Sequence, residues 1–374
     1  MDKLPPELIH AIVAEIGEAE SLKTCSLVAR IFIESCQRTL FNSLIIAKDS
    51  EGGIEPVVLW SRLQESPHLG RYFESLVCLL PAIDAPQEEL DAFCTVLDRL
   101  TNIRRCVLMG DPHSEPGEYR CQWHDLPSQL SGGIVKFIQR LQLSQLHISF
   151  ASLPGDILTM FLAAAPTVTF YESSVDTVVA TDLTAVSATV ENLAVLCSPS
   201  IADALASSRY LPHVSRIRKL CVDDHTSSQT QTQPALADFV PLPSRLPCLR
   251  SIAIATSFDR RDDPSFVPMV ASVAEAVSAT LQEICVTYAP MYGPQLNSSL
   301  TPETIAGVEA AIIGCAGSPR IRWRLEPPTE AFFDTFSTSL VEGFPRLHKA
   351  GRILVEQYCA DDEDLFSWVE RFSR

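Results

Sequence analysis

One turn-rich segment, residues 109–133, holds a group of side chains that could bind a metal. Its members are Cys121, His124 and His113, with Asp111 and Asp125 nearby. Thiolate, imidazole and carboxylate groups are the usual ligands of zinc, but no second ligand pair supports this group. A solvated surface loop is the alternative explanation. We expect no metal and no cofactor in this chain.

The sequence contains none of the common signatures of a catalytic site. A P-loop, a G-x-S-x-G nucleophile turn and an H-E-x-x-H motif are all absent. A Cys–His nucleophile pair carries no weight, since 12 cysteines and 8 histidines offer many such pairs by chance. Arg216, Arg218 and Lys219 form a small basic cluster, which is either a solvated edge or a phosphate site. We predict that the chain is not an enzyme; an enzyme of unknown type is a third hypothesis, which no group of residues supports.

Composition restricts the class of partner. The formal net charge is −17 and the isoelectric point about 4.9, so the chain repels nucleic acids and anionic membranes. The cysteines are scattered without any C-x-x-C pair, as expected for free thiols in a reducing compartment. No signal peptide or membrane-length apolar run is visible. We expect a cytoplasmic or nuclear protein.

The segment 4–40 predicts two amphipathic helices. The stripe of the first helix repeats at every fourth position and consists of Leu4, Leu8, Ile12 and Ile16, with Ile9 and Val13 beside it. The stripe of the second consists of Leu22, Cys25, Val28, Ala29, Phe32, Cys36 and Leu40. Pro5 and Pro6 fit a first helical turn, Gly17 a helix end and Ser21 a helix cap. Two helices this short need a third apolar surface, either the rest of the chain or a partner.

Residues 4 to about 46 resemble an F-box, in particular the F-box-like domains at the front of many fungal proteins. The resemblance lies in "LPPELI", "SLKTCSLVAR" and "CQRTLF"; the tryptophan of the fuller pattern is absent, and Ile31, Phe32 and Ile33 stand in its place. It implies a helical module that docks on a Skp-type adaptor and, through it, on a cullin–RING ubiquitin ligase. The docking residues that it implies are Leu4, Pro5, Leu8, Ile9, Ile12, Leu27 and Val28.

From residue 41 onward, an apolar-x-x-apolar-x-apolar pattern recurs and predicts short strands. The sequence step between copies is the same from 44 to 76, from 220 to 252 and from 252 to 284. Helix candidates alternate with these strands at 87–100, 154–165, 264–281, 302–315 and 329–343. Strand, loop and helix in repetition form the unit of a leucine-rich-repeat-like solenoid, although the asparagine of that family's signature is missing.

We therefore expect a mixed α/β fold of two domains. The first, residues 1–46, is an F-box-like helical domain. The second, residues 47–374, is a degenerate repeat solenoid of short parallel strands and helices, with a capping helix after the acidic residues 361–364. Residues 109–133 and 223–234 are expected to be surface loops.

The expected target-binding positions lie between the inward apolar residues of the strands. They are Ile45, Val77, Val107, His147, Ala194, Cys221, Ala253 and Cys285. Most are small or apolar, so either the groove takes an apolar segment or loops partly cover the face. The first function hypothesis is a substrate receptor of an SCF-type ligase. The second is a protein-binding scaffold with no ligase link, whose N-terminal helices only cap the solenoid.

Overall fold

The computed structural model describes residues 4–48, 53–81, 84–110, 121–176, 189–223, 239, 241–256, 270, 273–274, 279–288, 301–325 and 329–357. They form a mixed α/β fold with a large parallel sheet of 11 strands. The chain divides into two compact units, Met1–His113 with Cys121–Leu146, and Ser114–Arg120 with His147–Arg374. This division does not follow the boundary expected after residue 46.

The first unit begins with three helices and continues with alternating strands and helices. Its helices are α1 Pro6–Ala14, α2 Ala19–Val28, α3 Arg30–Leu40, α4 Pro56–Glu65, α5 Gln87–Arg99 and α6 Ser128–Arg140. Its strands are β1 Ser43–Ile46, β2 Ser75–Leu79, β3 Arg105–Met109 and β4 Cys121–Gln122. Strands β1, β2 and β3 pair in parallel, so Leu44, Leu76 and Cys106 lie side by side.

The second unit continues the alternation from β5 Gln145–Ser149, the strand that spans the division. Its further strands are β6 Ala151–Pro154, β7 Thr167–Tyr171, β8 Ser174–Asp176, β9 Asn192–Leu196, β10 Lys219–Asp223, β11 Ser251–Thr256, β12 Glu283–Tyr288, β13 Arg320–Leu325 and β14 Ile353–Gln357. Its helices are α7 Gly155–Ala164, α8 Pro199–Ala206, α9 Leu211–Val214, α10 Pro302–Gly314, α11 Glu330–Gly343 and α12 Pro345–Lys349.

Strands β7 and β9 to β14 pair in parallel and in sequence order, and their register follows the spacing seen in the sequence. Leu220, Ile252 and Ile284, which are separated by equal sequence steps, are direct neighbours across β10, β11 and β12. All three side chains are buried. The strands predicted at these positions are therefore confirmed. In β13, Trp323 is fully buried although the sequence of that strand lacks the recurring pattern.

A recurring hydrogen-bond pattern fixes the start of several strands. The carbonyl of Glu191 accepts the amides of Arg218 and Lys219, at 2.7 and 3.1 Å. One strand further, the carbonyl of Arg218 accepts the amides of Arg250 and Ser251, at 2.8 and 3.0 Å. Because each carbonyl binds two successive amides of the next strand, the backbone donors at these strand starts are already used.

Several expectations need correction. The second predicted N-terminal helix is two helices, because Ala29 is extended (φ −154°, ψ 146°) and separates α2 from α3. The expected loop at 109–133 contains the start of α6, whose face of Leu130, Ile134, Phe137 and Ile138 is buried. Helices α4 and α8 were not foreseen. The loop predicted at 223–234, the capping helix and most of the helix predicted at 264–281 fall outside the described residues.

Within the described ranges, no helix is both long enough and apolar enough to cross a bilayer.

Candidate partner-docking surface

The three N-terminal helices share a small apolar core of their own. Val13 of α1, Leu22 of α2 and Cys36 of α3 are buried together. The residues packed around them are Ile16, Cys25, Phe32 and Leu40. Helices α1 and α2 each pack against α3, which supplies the third surface that two short helices require.

The thiol of Cys36 behaves as an apolar group in this core. The pKa of Cys36 is raised to about 11, chiefly by burial and further by the neighbouring thiol of Cys25. A thiol with such a pKa is neutral at physiological pH, so Cys36 packs as a small hydrophobic side chain.

Helix α1 begins as the sequence predicts and ends earlier. Pro5 precedes the helix and Pro6 is its first residue, and the carbonyl of Pro5 accepts the amides of Leu8 and Ile9 at 3.1 and 3.2 Å. The helix ends at Ala14, before Gly17. Ser21 does not cap α2, which begins at Ala19; its hydroxyl donates to the Glu18 carboxylate at 3.2 Å.

Helix α1 is apolar on two adjacent faces, and only one of them is buried. Ile9 and Val13 are 6% and 0% exposed, whereas Leu8 and Ile12 are 52% and 50% exposed. Residues four apart lie on one helical face, so Leu8 and Ile12 form a continuous apolar line with the exposed Leu4 before it. We call Leu4, Leu8 and Ile12 the α1 ridge.

A second exposed apolar surface lies at the end of α2. Leu27 and Val28 are 86% and 72% exposed, immediately before the extended residue Ala29. We call these two residues the α2 tip. Val28 also lines a shallow open groove between α2 and α3, together with Glu20, Ser21, Thr24, Cys25 and Phe32.

The charged pairs around these helices are solvent-exposed. Glu34 lies 3.9 Å from Arg38 and 3.7 Å from Arg71, and each of these side chains is more than half exposed. Exposed pairs of this kind contribute little to stability. The apolar ridge and tip are therefore the energetically significant features of this surface.

The structure thus exposes six of the seven residues that the F-box resemblance assigns to docking and buries the seventh. Leu4, Pro5, Leu8, Ile12, Leu27 and Val28 are exposed. Ile9 is buried because it shares the inner face of α1 with Val13, so its expected role as a docking contact is corrected to a role in the core.

Four of the expected target-binding positions lie on the same face of neighbouring strands. Ala194, Cys221, Ala253 and Cys285 are cross-strand neighbours from β9 to β12. Most of the set is nevertheless buried, namely Val77, Val107, His147, Ala194, Cys221 and Cys285, while Ile45 and Ala253 are half-buried. Strands that are apolar on both faces are typical of sheets covered on both sides. These positions therefore offer little accessible surface to a target.

Burial also sets the chemistry of His147. Its pKa is lowered to about 3 by burial, and its Nδ1 atom has no hydrogen-bond partner among the described residues. The imidazole is neutral at physiological pH, and it has no charge to offer an anionic ligand.

Three of the candidate metal ligands, Cys121, His124 and Asp125, lie within the described ranges. Cys121 has its pKa raised to about 11 by burial, and His124 Nε2 lies 3.3 Å from Asp125 Oδ1. Across the described ranges, no three His, Cys, Asp or Glu side chains come together as metal ligands; His113 and Asp111 fall outside those ranges.

The basic cluster, in contrast, is larger than the sequence indicated. Arg216, Arg218 and Lys219 are exposed, and Arg218 Nη1 lies 3.3 Å from Glu191 Oε2. The exposed Arg250 joins them, because its amide donates to the carbonyl of Arg218. The sequence signal was present in the constant step between strands, which places Arg250 one strand from Arg218.

Comparisons with known proteins add no assignment. No family model matches the chain, and no curated protein matches it.

Proposed function

We propose that this chain is the substrate-recognition subunit of a cullin–RING (SCF-type) ubiquitin ligase. Its N-terminal helices dock on a Skp-type adaptor through the α1 ridge and the α2 tip. The observation that carries the proposal is the exposure of Leu8 and Ile12 beside the buried Ile9 and Val13. Catalysis is then done by other subunits, and this chain supplies proximity between ligase and target.

The exposed apolar side chains of this surface contribute free energy to docking. Full burial of one Leu, Ile or Val side chain contributes about 1.5–3 kcal/mol, and the ridge and tip residues retain roughly half or more of that. Five such side chains therefore offer on the order of 5 kcal/mol before the costs of association. A few aliphatic anchors in a water-free groove often dominate an interface.

The alternative, in which the helices only cap the rest of the chain, fits this exposure less well. A cap is selected to bury its apolar face, as Val13, Leu22 and Cys36 do in the small core. Leu27 and Val28 are almost fully exposed and have no role in such a cap. Exposed aliphatic groups of this kind are typical of interaction sites.

In the same proposal, the remainder of the chain is a degenerate leucine-rich-repeat-like solenoid that holds the target. The equal register steps and the repeated carbonyl pattern at strand starts support a repeating unit. So do the positive φ angles of Phe150, Glu172 and Cys197, which directly follow β5, β7 and β9 (54°, 45° and 48°). None of the 11 described cysteines is in a disulfide, which fits a cytoplasmic or nuclear location.

A pull-down with a purified Skp-type adaptor tests the proposal. The full chain is compared with L8Q/I12Q, which keeps side-chain length and helix propensity but removes the apolar ridge. The matched control is H10Q/A14Q, since His10 and Ala14 are also exposed and lie four positions apart on α1.

We expect the full chain and H10Q/A14Q to retain the adaptor. L8Q/I12Q should retain at least tenfold less of it. Unfolding of L8Q/I12Q would favour the cap alternative. Equal retention by both variants would exclude the ridge as the docking surface.

A further inference from the structure

An exposed basic patch lies where β10 and β11 begin, and we define it as Arg218, Lys219 and Arg250. Arg218 precedes β10, Lys219 is the first residue of β10, and Arg250 precedes β11. All three side chains are exposed. The patch extends the cluster found in the sequence across two neighbouring strands.

The patch is held together by the backbone rather than by charge. The amide of Arg250 donates to the carbonyl of Arg218 at 2.8 Å, so the two residues occupy equivalent positions one strand apart. Neighbouring strands are about 4.8 Å apart, which brings like charges within a Debye length of each other. Like charges at adjacent positions oppose folding.

Among the described residues, most of this charge has no compensating partner. Arg218 is paired with Glu191, but the side chains of Lys219 and Arg250 form no ion pair or hydrogen bond with any residue in the described ranges. The chain as a whole carries 46 acidic and 29 basic residues, so acidic side chains are plentiful. A cationic cluster that is unfavourable for folding in an acidic chain indicates selection for binding.

We infer that this basic patch binds an acidic segment of a partner protein. The backbone amides of Arg218, Lys219 and Arg250 are already bonded to carbonyls, so recognition must come from the side chains. Flexible cationic side chains on the ends of two strands suit carboxylates spaced along an extended peptide better than one compact anion. We favour an acidic peptide over a nucleic acid, because three cationic side chains can neutralise only a few phosphates.

The inference rests on the proposed function, because the acidic segment would belong to the target that the receptor holds. It also accounts for how the chain contacts a target although the expected sheet face is buried. With Cys221 and Cys285 buried, the exposed ends of the strands provide accessible side chains for a target.

Fluorescence anisotropy with the full chain tests this directly. The probe is a short fluorescein-labelled peptide of alternating Glu and Ser, and the control peptide has Gln in place of Glu. The test variant is K219S/R250S. The control variant is R346S/K349S, which removes two exposed cations from α12 in the same unit.

We expect the Glu peptide to bind at low salt at least tenfold more tightly than the Gln peptide. K219S/R250S should bind the Glu peptide at least tenfold more weakly than the unaltered chain does. R346S/K349S should bind it less than twofold more weakly. Equal binding of the two peptides, or equal loss in both variants, would overturn the inference. So would tighter binding of a single-stranded oligonucleotide than of the Glu peptide.

The adaptor variant separates this inference from the proposed function. L8Q/I12Q should bind the Glu peptide like the unaltered chain, since its substitutions leave the patch intact. Peptide binding without adaptor binding would leave the inference standing as an interaction site and remove the ligase link. Adaptor binding without peptide binding would overturn the inference alone.

Discussion

Leu8 and Ile9 are neighbours in the sequence but differ in environment, with 52% of the Leu8 side chain exposed and only 6% of Ile9. One residue turns the direction of a helical side chain by about 100°. Ile9 therefore faces the core of the three-helix module, and Leu8 faces solvent. The apolar surface of α1 is therefore wider than the part that packs into the core of the three N-terminal helices.

This difference leads to a prediction about stability. V13A should lower the free energy of unfolding by about 2 kcal/mol, because Val13 is fully buried against Leu22 and Cys36. L8Q/I12Q should change it by less than about 1 kcal/mol, since both side chains are half exposed. Urea unfolding of the full chain measures both values. A larger loss for L8Q/I12Q than for V13A would show that the ridge is part of the fold.

A second prediction concerns the charged network across β12 and β13. Glu283 Oε2 accepts from Arg320 Nε at 3.0 Å and from Arg322 Nη2 at 3.1 Å, and the Glu283 side chain is only 18% exposed. E283Q should cost about 1 kcal/mol of stability, less at high salt, because Arg320 is largely exposed and screened. Thermal unfolding at two salt concentrations measures this. The exposed substitution E342Q is the control, and an equal effect of both would contradict the role of the network.

A third prediction concerns the start of α12. The buried carboxylate of Glu309 accepts the amides of Arg346 and Leu347, at 2.7 and 3.1 Å. E309A leaves one buried and one partly buried amide donor unsatisfied and should cost about 2–4 kcal/mol. E309Q retains an acceptor oxygen and should cost roughly half as much. Chemical denaturation measures the free energy of unfolding of the unaltered chain, E309Q and E309A. Equal losses in E309Q and E309A would mean that packing, not hydrogen bonding, dominates.

A fourth prediction is a pH dependence that His147 causes. Burial lowers the pKa of His147 from its ordinary 6.5 to about 3, so only the unfolded chain binds a proton between these values. Stability from this residue is therefore complete above pH 6.5 and is lost as the pH falls towards 3. Between pH 7 and pH 5 the expected loss is about 2 kcal/mol.

H147L isolates this contribution because it replaces the imidazole with an apolar side chain of similar size that cannot titrate. The difference in unfolding free energy between pH 7 and pH 5 should be smaller in H147L than in the unaltered chain by that amount, about 2 kcal/mol. His213, whose pKa is also lowered by burial, contributes equally to both proteins. Identical slopes for the two proteins would show that His147 is protonated or exposed in the folded state.

The sequence was a good guide to the strands because their spacing carries the register. Leu220, Ile252 and Ile284 recur at a constant sequence step and are cross-strand neighbours. Helix α6 escaped notice because Gly132 and Gly133 resemble a turn, although a buried face with helical spacing continues through it. A break at one extended residue, Ala29, was equally invisible, since the apolar stripe runs on across it.

The exposure of the candidate sites was harder to foresee than their positions. Periodicity shows that Ile9 and Val13 share one face and Leu8 and Ile12 the next, but not which of the two apolar faces is buried. The same holds for Cys221 and Cys285, which alternate with inward residues as expected and are nevertheless buried. Apolar residues on both sides of these strands were the available signal.

Calorimetric titration of a purified Skp-type adaptor with the full chain, at several temperatures, is the most direct test of the proposed function. The proposal predicts one adaptor per chain and a negative heat-capacity change, because docking removes the α1 ridge and α2 tip from water. The heat-capacity change should be smaller in L8Q/I12Q, in proportion to the apolar area removed. Absence of binding by the folded full chain, or a heat-capacity change that L8Q/I12Q leaves unaltered, would contradict docking through these residues.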